Sequence, residues 1–248
     1  MDIKYNFIGN PIRAGGDAKT VKGNDDGYLT AIMYMTPFKS FGANLCPMAE
    51  TAGCIDGCLN TAGRGAMNSV QKGRARKTEW YVTDRAGFMA QLHKDLTRFQ
   101  NYCDKRDIKP CVRLNGTSDI RWETIPIDGQ SIFDHFPAIQ FYDYTKIANR
   151  KVDHISNYDL TFSYSEANPA YAKQVNIALE RGLNIAVVFR KKESIPTTFL
   201  NLLTIDGDKN DMRFLDPKQT VVALYAKGKA RKDTSGFVID TQSLEVIA

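Results

Sequence analysis

Asp159 to Phe189 reads DLTFSYSEANPAYAKQVNIALERGLNIAVVF. DLTFS at 159–163 and NIAVVF at 184–189 are short apolar runs, rich in β-branched and aromatic residues, which read as strands. Between them Asn168 to Arg181 reads as a helix, stopped by Gly182, a residue type that closes helices in the left-handed conformation. Continuous apolar strands separated by a helix argue a parallel sheet with helices outside it, as in βαβ units.

The same texture recurs on both sides. Tyr28–Thr36 (YLTAIMYMT) is a buried strand closed by Pro37, and Lys109–Asn115 (KPCVRLN), Ala138–Thr145 (AIQFYDYT) and Thr220–Ala226 (TVVALYA) complete a set of six. Asp84–Arg106 is the clearest helix, capped by Asp84 and carrying Phe88, Leu92, Leu96 and Phe99 at helical spacing. Thr61–Gly73 begins another, against the resistance of its three glycines. Residues 1–26 are polar and glycine-rich and read as an irregular extension or cap. No repeat, low-complexity segment or linker divides the chain, so one α/β domain over 1–248 is expected, with the strand array in 27–248. At 248 residues this is a length that α/β barrels reach undivided.

Hydrophobic residues at 43% and charged ones at 25% are ordinary for a globular protein. A net charge of +5 permits a nucleic-acid partner without demanding one. No apolar run approaches the roughly 20 residues of a membrane span, and MDIKYNFIGN has no signal-peptide core. The expected setting is the cytoplasm, with no membrane partner. Thiols stay reduced there, and clustered cysteines more often mean metal or catalysis than disulfides.

Polar residues gather just after the strands, the edge at which parallel α/β folds build sites. Asn115, Gly116, Thr117, Ser118 and Asp119 follow the second strand, with Trp122 and Glu123 beyond. Tyr144 and Lys146 close the third, Ser163, Ser165 and Glu166 the fourth, Arg190 the fifth, and Lys227, Lys229 and Arg231 the sixth. After the first comes LCPMAETAGCIDGCLNTAGRGAMNSVQKGRARK (45–77), with Cys46, Cys54 and Cys58 spaced C-x7-C-x3-C.

Three thiols admit three readings. A structural zinc wants four ligands, and only Cys54 and Cys58 have knuckle-like spacing; the fourth would be Cys103, Cys111, His93, His135 or His154. A 4Fe–4S cluster held by three thiolates leaves one iron open. Free cysteine is also among the most buried residue types, so the three can be plain core, as Cys103 and Cys111 are read to be. Arg64, Lys72, Arg74, Arg76 and Lys77 fall within fourteen residues, followed by Trp80 and Tyr81. Cations interleaved with aromatics suit phosphate contacts and base stacking, and equally a solvated helix face. The acidic stretch Asp206–Asp216 lacks calcium-loop spacing and reads as an exposed turn. No Walker loop, G-x-G-x-x-G or G-x-S-x-G is present.

A thiolate loop after the first of six parallel strands resembles the radical S-adenosylmethionine superfamily, a partial TIM-like (βα)6 barrel. That resemblance implies a 4Fe–4S cluster on Cys46, Cys54 and Cys58, with S-adenosylmethionine held by residues 115–119 and by Ser163, Ser165 and Glu166. Asp119, Glu123, Tyr144 and Lys146 would then be catalytic. The chain departs from it in spacing, C-x7-C-x3-C for C-x3-C-x2-C, in Gly57 where an aromatic residue is common, and in lacking a GGE triplet. More closely, CPMAETAGCIDGCLNTAGRG, RLNGTSDIRWE, FYDYTK, NYDLTFSYSE, GDKNDMRFLD and AKGKARKDTSGF resemble tailed-bacteriophage proteins of unassigned function, the gene product 88 family. The cytoplasm would then be the host's.

The leading expectation is a phage iron–sulfur enzyme, radical S-adenosylmethionine-like, modifying a nucleic-acid base or nucleotide. Alternatives are a zinc-stapled TIM-barrel transglycosylase-like enzyme that modifies DNA, and a non-catalytic, metal-stabilised module that binds nucleic acid or a host protein. Oligomeric state is not legible.

Overall fold

The computed structural model describes residues 5–16 and 20–241. Its strands in chain order are β1 (Phe7–Ile8), β2 (Arg13–Ala14), β3 (Tyr28–Ile32), β4 (Lys109–Arg113), β5 (Gln140–Thr145), β6 (Tyr158–Ser163), β7 (Asn184–Phe189), β8 (Thr198–Phe199), β9 (Leu202–Asp206), β10 (Thr220–Tyr225) and β11 (Val238–Ile239). They form one eleven-stranded sheet in the order β1-β2-β3-β4-β5-β6-β7-β10-β9-β8, with β11 beside β7. The six strands read from sequence are β3 to β7 and β10. They are parallel and lie side by side in chain order.

Three expectations change. The sheet is mixed and mostly parallel: β3 turns its outer edge to antiparallel β2, and β10 turns its own to β9, so the two do not pair with each other. Helices are few. Between β5 and β6 the chain crosses without one, and between β4 and β5 the only α-helix is the single turn Ile132–His135. Asn157 replaces helical bonding there, donating from Nδ2 to the carbonyls of Phe133, Phe136 and Ile139 at 3.0–3.3 Å. Finally, the N-terminal stretch is not only a cap. Residues 7–14 form a hairpin that extends the sheet, because Phe7, Ile12 and Ala14 bury their side chains. Residues 1–4 and 17–19 of that stretch lie outside the described ones.

Three longer helices flank the sheet: α1 (Asn68–Thr83), α2 (Arg85–Asp104) and α3 (Ala172–Glu180). Helix α1 starts seven residues later than the sequence predicts, because Gly63 and Gly65 sit in a short 3-10 turn before it. Helix α2 matches its pattern. Asp84 accepts from Gly87 N at 2.9 Å, and Phe88, Leu92, Leu96 and Phe99 are fully buried, each contributing about 1.5–3 kcal/mol. They pack with Leu29, Ala31, Val112 and Phe141. A second core joins α3, β7, β10 and the cysteine loop through Val175, Ile185, Val221, Ala52 and Phe237.

The acidic stretch is only partly a turn. Asp206 Oδ1 accepts from Asp208 N at 2.8 Å, but Asp211 and Arg213 are buried. The segment covers one sheet face: Asp211 pairs with Arg113 at 2.7 Å, and Phe214 packs on Tyr28 and Tyr142. Among the described residues no helix is long and apolar enough to cross a membrane.

Candidate functional site

All six parallel strands end at one edge, and hydrogen bonds stitch the segments leaving them together. Asp119 N donates to Leu45 O at 2.7 Å and Thr117 Oγ1 to Met35 O at 2.5 Å, tying the second post-strand segment to the first. The Asp119 carboxylate accepts from Thr145 Oγ1 and Lys146 N, both at 2.8 Å. Lys146 Nζ donates to Ser163 Oγ at 3.2 Å, and Ser165 Oγ to Ala52 O at 2.7 Å. Arg190 donates to the carbonyls of Arg231 and Asp233. Gly116 makes the close approach possible, since a Cβ there would stand 2.6 Å from Met33 O.

The cysteine loop is a series of tight turns, with Ala49 N bonded to Cys46 O, Ala52 N to Met48 O and Cys54 N to Ala49 O. Gly53 has φ +61°, and a Cβ on it would meet the Ala167 methyl at 2.4 Å. The wide C-x7-C spacing is thereby folded up, and Cys46, Cys54 and Cys58 come close enough to act on one another electrostatically. Burial pushes the Cys46 thiol up to about 12 and raises Cys58 as well. Lys146 sits among them. Burial opposes its charge, but Cys54, Cys46, Tyr171 and Asp119 outweigh that and hold it above the ordinary lysine range. At neutral pH burial therefore keeps the Cys46 and Cys58 thiols neutral beside Lys146.

All five cysteines are free. Among the described residues no group of three or more His, Cys, Asp and Glu is arranged to hold a metal ion. Cys54 Sγ donates to Ala49 O at 3.7 Å, and Cys58 Sγ accepts from Asn60 N at 3.4 Å. The other ligand candidates are engaged elsewhere. Cys103 and Cys111 are wholly buried core, His93 stacks edge-on against His135, and His154 is exposed.

Several predicted site residues turn their polar atoms inward. Asn115 Oδ1 accepts from Ser118 Oγ, Ile120 N and Trp122 Nε1 at 2.9–3.1 Å, so Asn115 and Ser118 brace their own loop. Glu123 takes Arg150 in two bonds of 2.9 and 2.5 Å. Glu166 accepts from Tyr164 Oη at 2.7 Å. Tyr144 is half-buried under the Arg113 guanidinium, and its Oη has no partner among the described residues.

The basic segment divides. Arg64, Lys72 and Arg76 are exposed, whereas Arg74 is buried, donating from Nη1 to Asn60 O and Oδ1 at 2.6 Å and lying over the Tyr34 ring. Trp80 and Tyr81 are not a stacking surface: both rings pack against Phe88. Lys227 pairs with Asp208 at 2.6 Å, while Lys229 and Arg231 are exposed beside the cysteine loop, where Gly57 abuts Ala230 and Gly228 abuts Ala62.

The model of one family, gene product 88, matches residues 11–241. The chain belongs to the gene product 88 family of phage proteins. No curated protein and no solved structure matches it.

In this gene product 88 chain two groups of buried polar residues extend beyond the motifs read from the sequence. Arg150 reaches Glu123, Asp119 and Tyr158 from a loop whose local pattern is unremarkable. Arg113 and Thr161 join Tyr144 as buried polar groups on one sheet face, with Arg113 Nε and Thr161 Oγ1 also unpartnered among the described residues. Alternation along β4, β5 and β6 puts them on that face: Tyr144 and Thr161 are register partners, and Arg113 lies over the Tyr142 and Tyr144 rings.

Proposed function

We propose that this gene product 88 chain is an iron–sulfur enzyme on a partial (βα)-barrel scaffold, of radical S-adenosylmethionine type, acting on a nucleic-acid base or a nucleotide. The observation that carries this reading is the convergence of Cys46, Cys54 and Cys58 on half-buried Lys146, at the carboxyl edge of parallel strands laid out in chain order.

The donor set favours a cluster over zinc. Zinc bonds of about 2.3 Å draw four thiolates into mutual contact. A cuboidal cluster puts each thiolate on a different iron, so its ligands stand farther apart. Three thiols are one short of a structural zinc's four ligands, whereas a cluster on three thiolates leaves one iron open. Ligation requires deprotonated sulfur, and Lys146 is the cation near both Cys46 and Cys58 that offsets that charge. When bound, the cluster supplies an electron and an open iron for the cosubstrate. Lys146, bonded to Ser163, would orient polar groups of the cosubstrate, and Tyr144 Oη and Thr161 Oγ1, buried and without a partner among the described residues, are further hydrogen-bonding groups on the sheet. The exposed cations Arg64, Lys72, Arg76, Lys229 and Arg231 flank the loop and suit phosphate contact, which weakens steeply with salt.

Anaerobic purification tests this. The expected protein is brown, with iron and labile sulfide that are lost in Cys46→Ser, Cys54→Ser and Cys58→Ser and retained in Cys103→Ser. Reductive cleavage of S-adenosylmethionine should follow in the loaded protein. A colourless protein carrying zinc sinks the reading.

A further inference from the structure

Arg74 and Lys77 on α1 lie near Arg13 on β2, and among the described residues no acid joins this cluster of cations. Arg74 and Lys77 are three apart on α1 and share a face, with Thr78 beside them. Thr78 Oγ1 accepts from Thr36 N at 2.8 Å and locks that face against the chain leaving β3. Arg13 enters from the neighbouring strand, paired with Ile32 in register. Among the described residues none of the three cations has an acidic partner. Burial, and after it the neighbouring charges of Arg13 and Arg74, lower Lys77 to about 8.

Burying charge without a counter-charge is costly, and proteins rarely leave it so unless something supplies the missing sign. Arg74 is 7% exposed. Its hydrogen bonds run from Nη1 to Asn60, while Nε is buried and has no partner among the described residues. That leaves the Nε–Nη2 edge, the edge with which arginine takes an oxyanion in two parallel bonds. Three cations match a phosphate dianion better than a single carboxylate. A guanidinium this buried also cannot reach the backbone of a strand lying over the surface, so the phosphate must be a terminal group on a small molecule.

We propose that Arg13, Arg74 and Lys77 bind the terminal phosphate of a small molecule, next to the thiol site on the side of Cys58. Taking that phosphate as the handle of a nucleotide substrate rests on the function proposed above; the anion site itself does not.

Thermal shift and calorimetry on the purified chain, with inorganic phosphate, adenosine monophosphate and adenosine at fixed ionic strength, test it. Phosphate and the monophosphate should raise Tm in a saturable way, and adenosine should not. Lys77→Met should weaken phosphate binding at least tenfold without lowering Tm in its absence, and exposed Arg13→Gln should weaken it several-fold. Lys72→Met should leave it unchanged. Equal shifts from chloride, or undiminished binding in Lys77→Met, overturn the site. So does an oligonucleotide lacking terminal phosphates that binds as well and depends equally on Lys77. Cys54→Ser separates the two readings: phosphate binding that survives there while iron is lost upholds this site alone. Iron retained in a wild-type chain that ignores phosphate removes only this site.

Discussion

Arg150 and Arg74 are both buried guanidiniums, 2% and 7% exposed, in opposite surroundings. Arg150 meets Glu123 in two bonds, Asp119 at 3.4 Å and Tyr158 Oη at 2.9 Å. Burial opposes its charge, but Tyr158, Glu123 and Asp119 outweigh that and hold it charged. Arg74 meets the neutral oxygens of Asn60 and the face of Tyr34, and burial lowers it. In the first region the fold supplies its own counter-charges, which makes it scaffold. In the second the fold gathers cations and, among the described residues, supplies none, which marks it as a place for a ligand. The two regions flank the cysteine loop, one fixing the segment after β4 and the other facing Cys58.

Deleting each arginine breaks or sharpens that contrast. Arg150→Met strands Asp119 and Glu123 in the interior and should cost about 3–5 kcal/mol in urea unfolding. Arg74→Met leaves only carbonyl acceptors behind and should cost about 1–3 kcal/mol. Equal losses would erase the distinction between the regions.

The pH dependence should have opposite signs in the two regions. Burial pushes Asp143, which accepts from Asn115 and Tyr158, up to about 7. Its folded pKa lies above the unfolded one, so its contribution is full below about pH 4 and is lost as pH rises through 7, by roughly 2–4 kcal/mol. Lys77 is depressed to about 8. Its folded pKa lies below the unfolded one, so stability it withholds at neutral pH returns between about pH 8 and 10.5, by roughly 1–2 kcal/mol after allowing for partial exposure. Asp143→Asn should flatten the acidic arm of a denaturation–pH curve, and Lys77→Met the alkaline arm. A single slope of one sign across both windows would contradict the assignment.

The smallest effect concerns the loop between the regions. Ser165→Ala frees Ala52 O and should cost about 1 kcal/mol. Hydrogen exchange should quicken at the amides of Ala52, Gly53 and Cys54 and stay slow in α2. Unchanged exchange in the loop would show that Phe237 and Ala167 hold it without the serine.

Much of the fold was legible because strand and helix patterns are local. YLTAI, DLTFS and NIAVVF announce buried parallel strands, and Phe88 through Phe99 mark a helix face, without reference to distant residues. The rim was legible for a related reason: polar residues following parallel strands reach the same edge. The N-terminal hairpin was not legible, since two-residue strands carry no period, and neither was the burial of Asp211 and Arg213, which depends on a partner on another strand.

The sequence by itself determined the six parallel strands, their order, and the three thiols beside a basic segment, because apolar alternation and residue type act over neighbouring positions. Only the tertiary structure decided which charges meet a counter-charge. Arg150 finds Asp119 and Glu123 some thirty residues away along the chain, whereas Arg74 and Lys77 find Arg13, another cation. Electrostatics depends on distance in space, and folding sets that distance between residues whose separation in sequence says nothing about it.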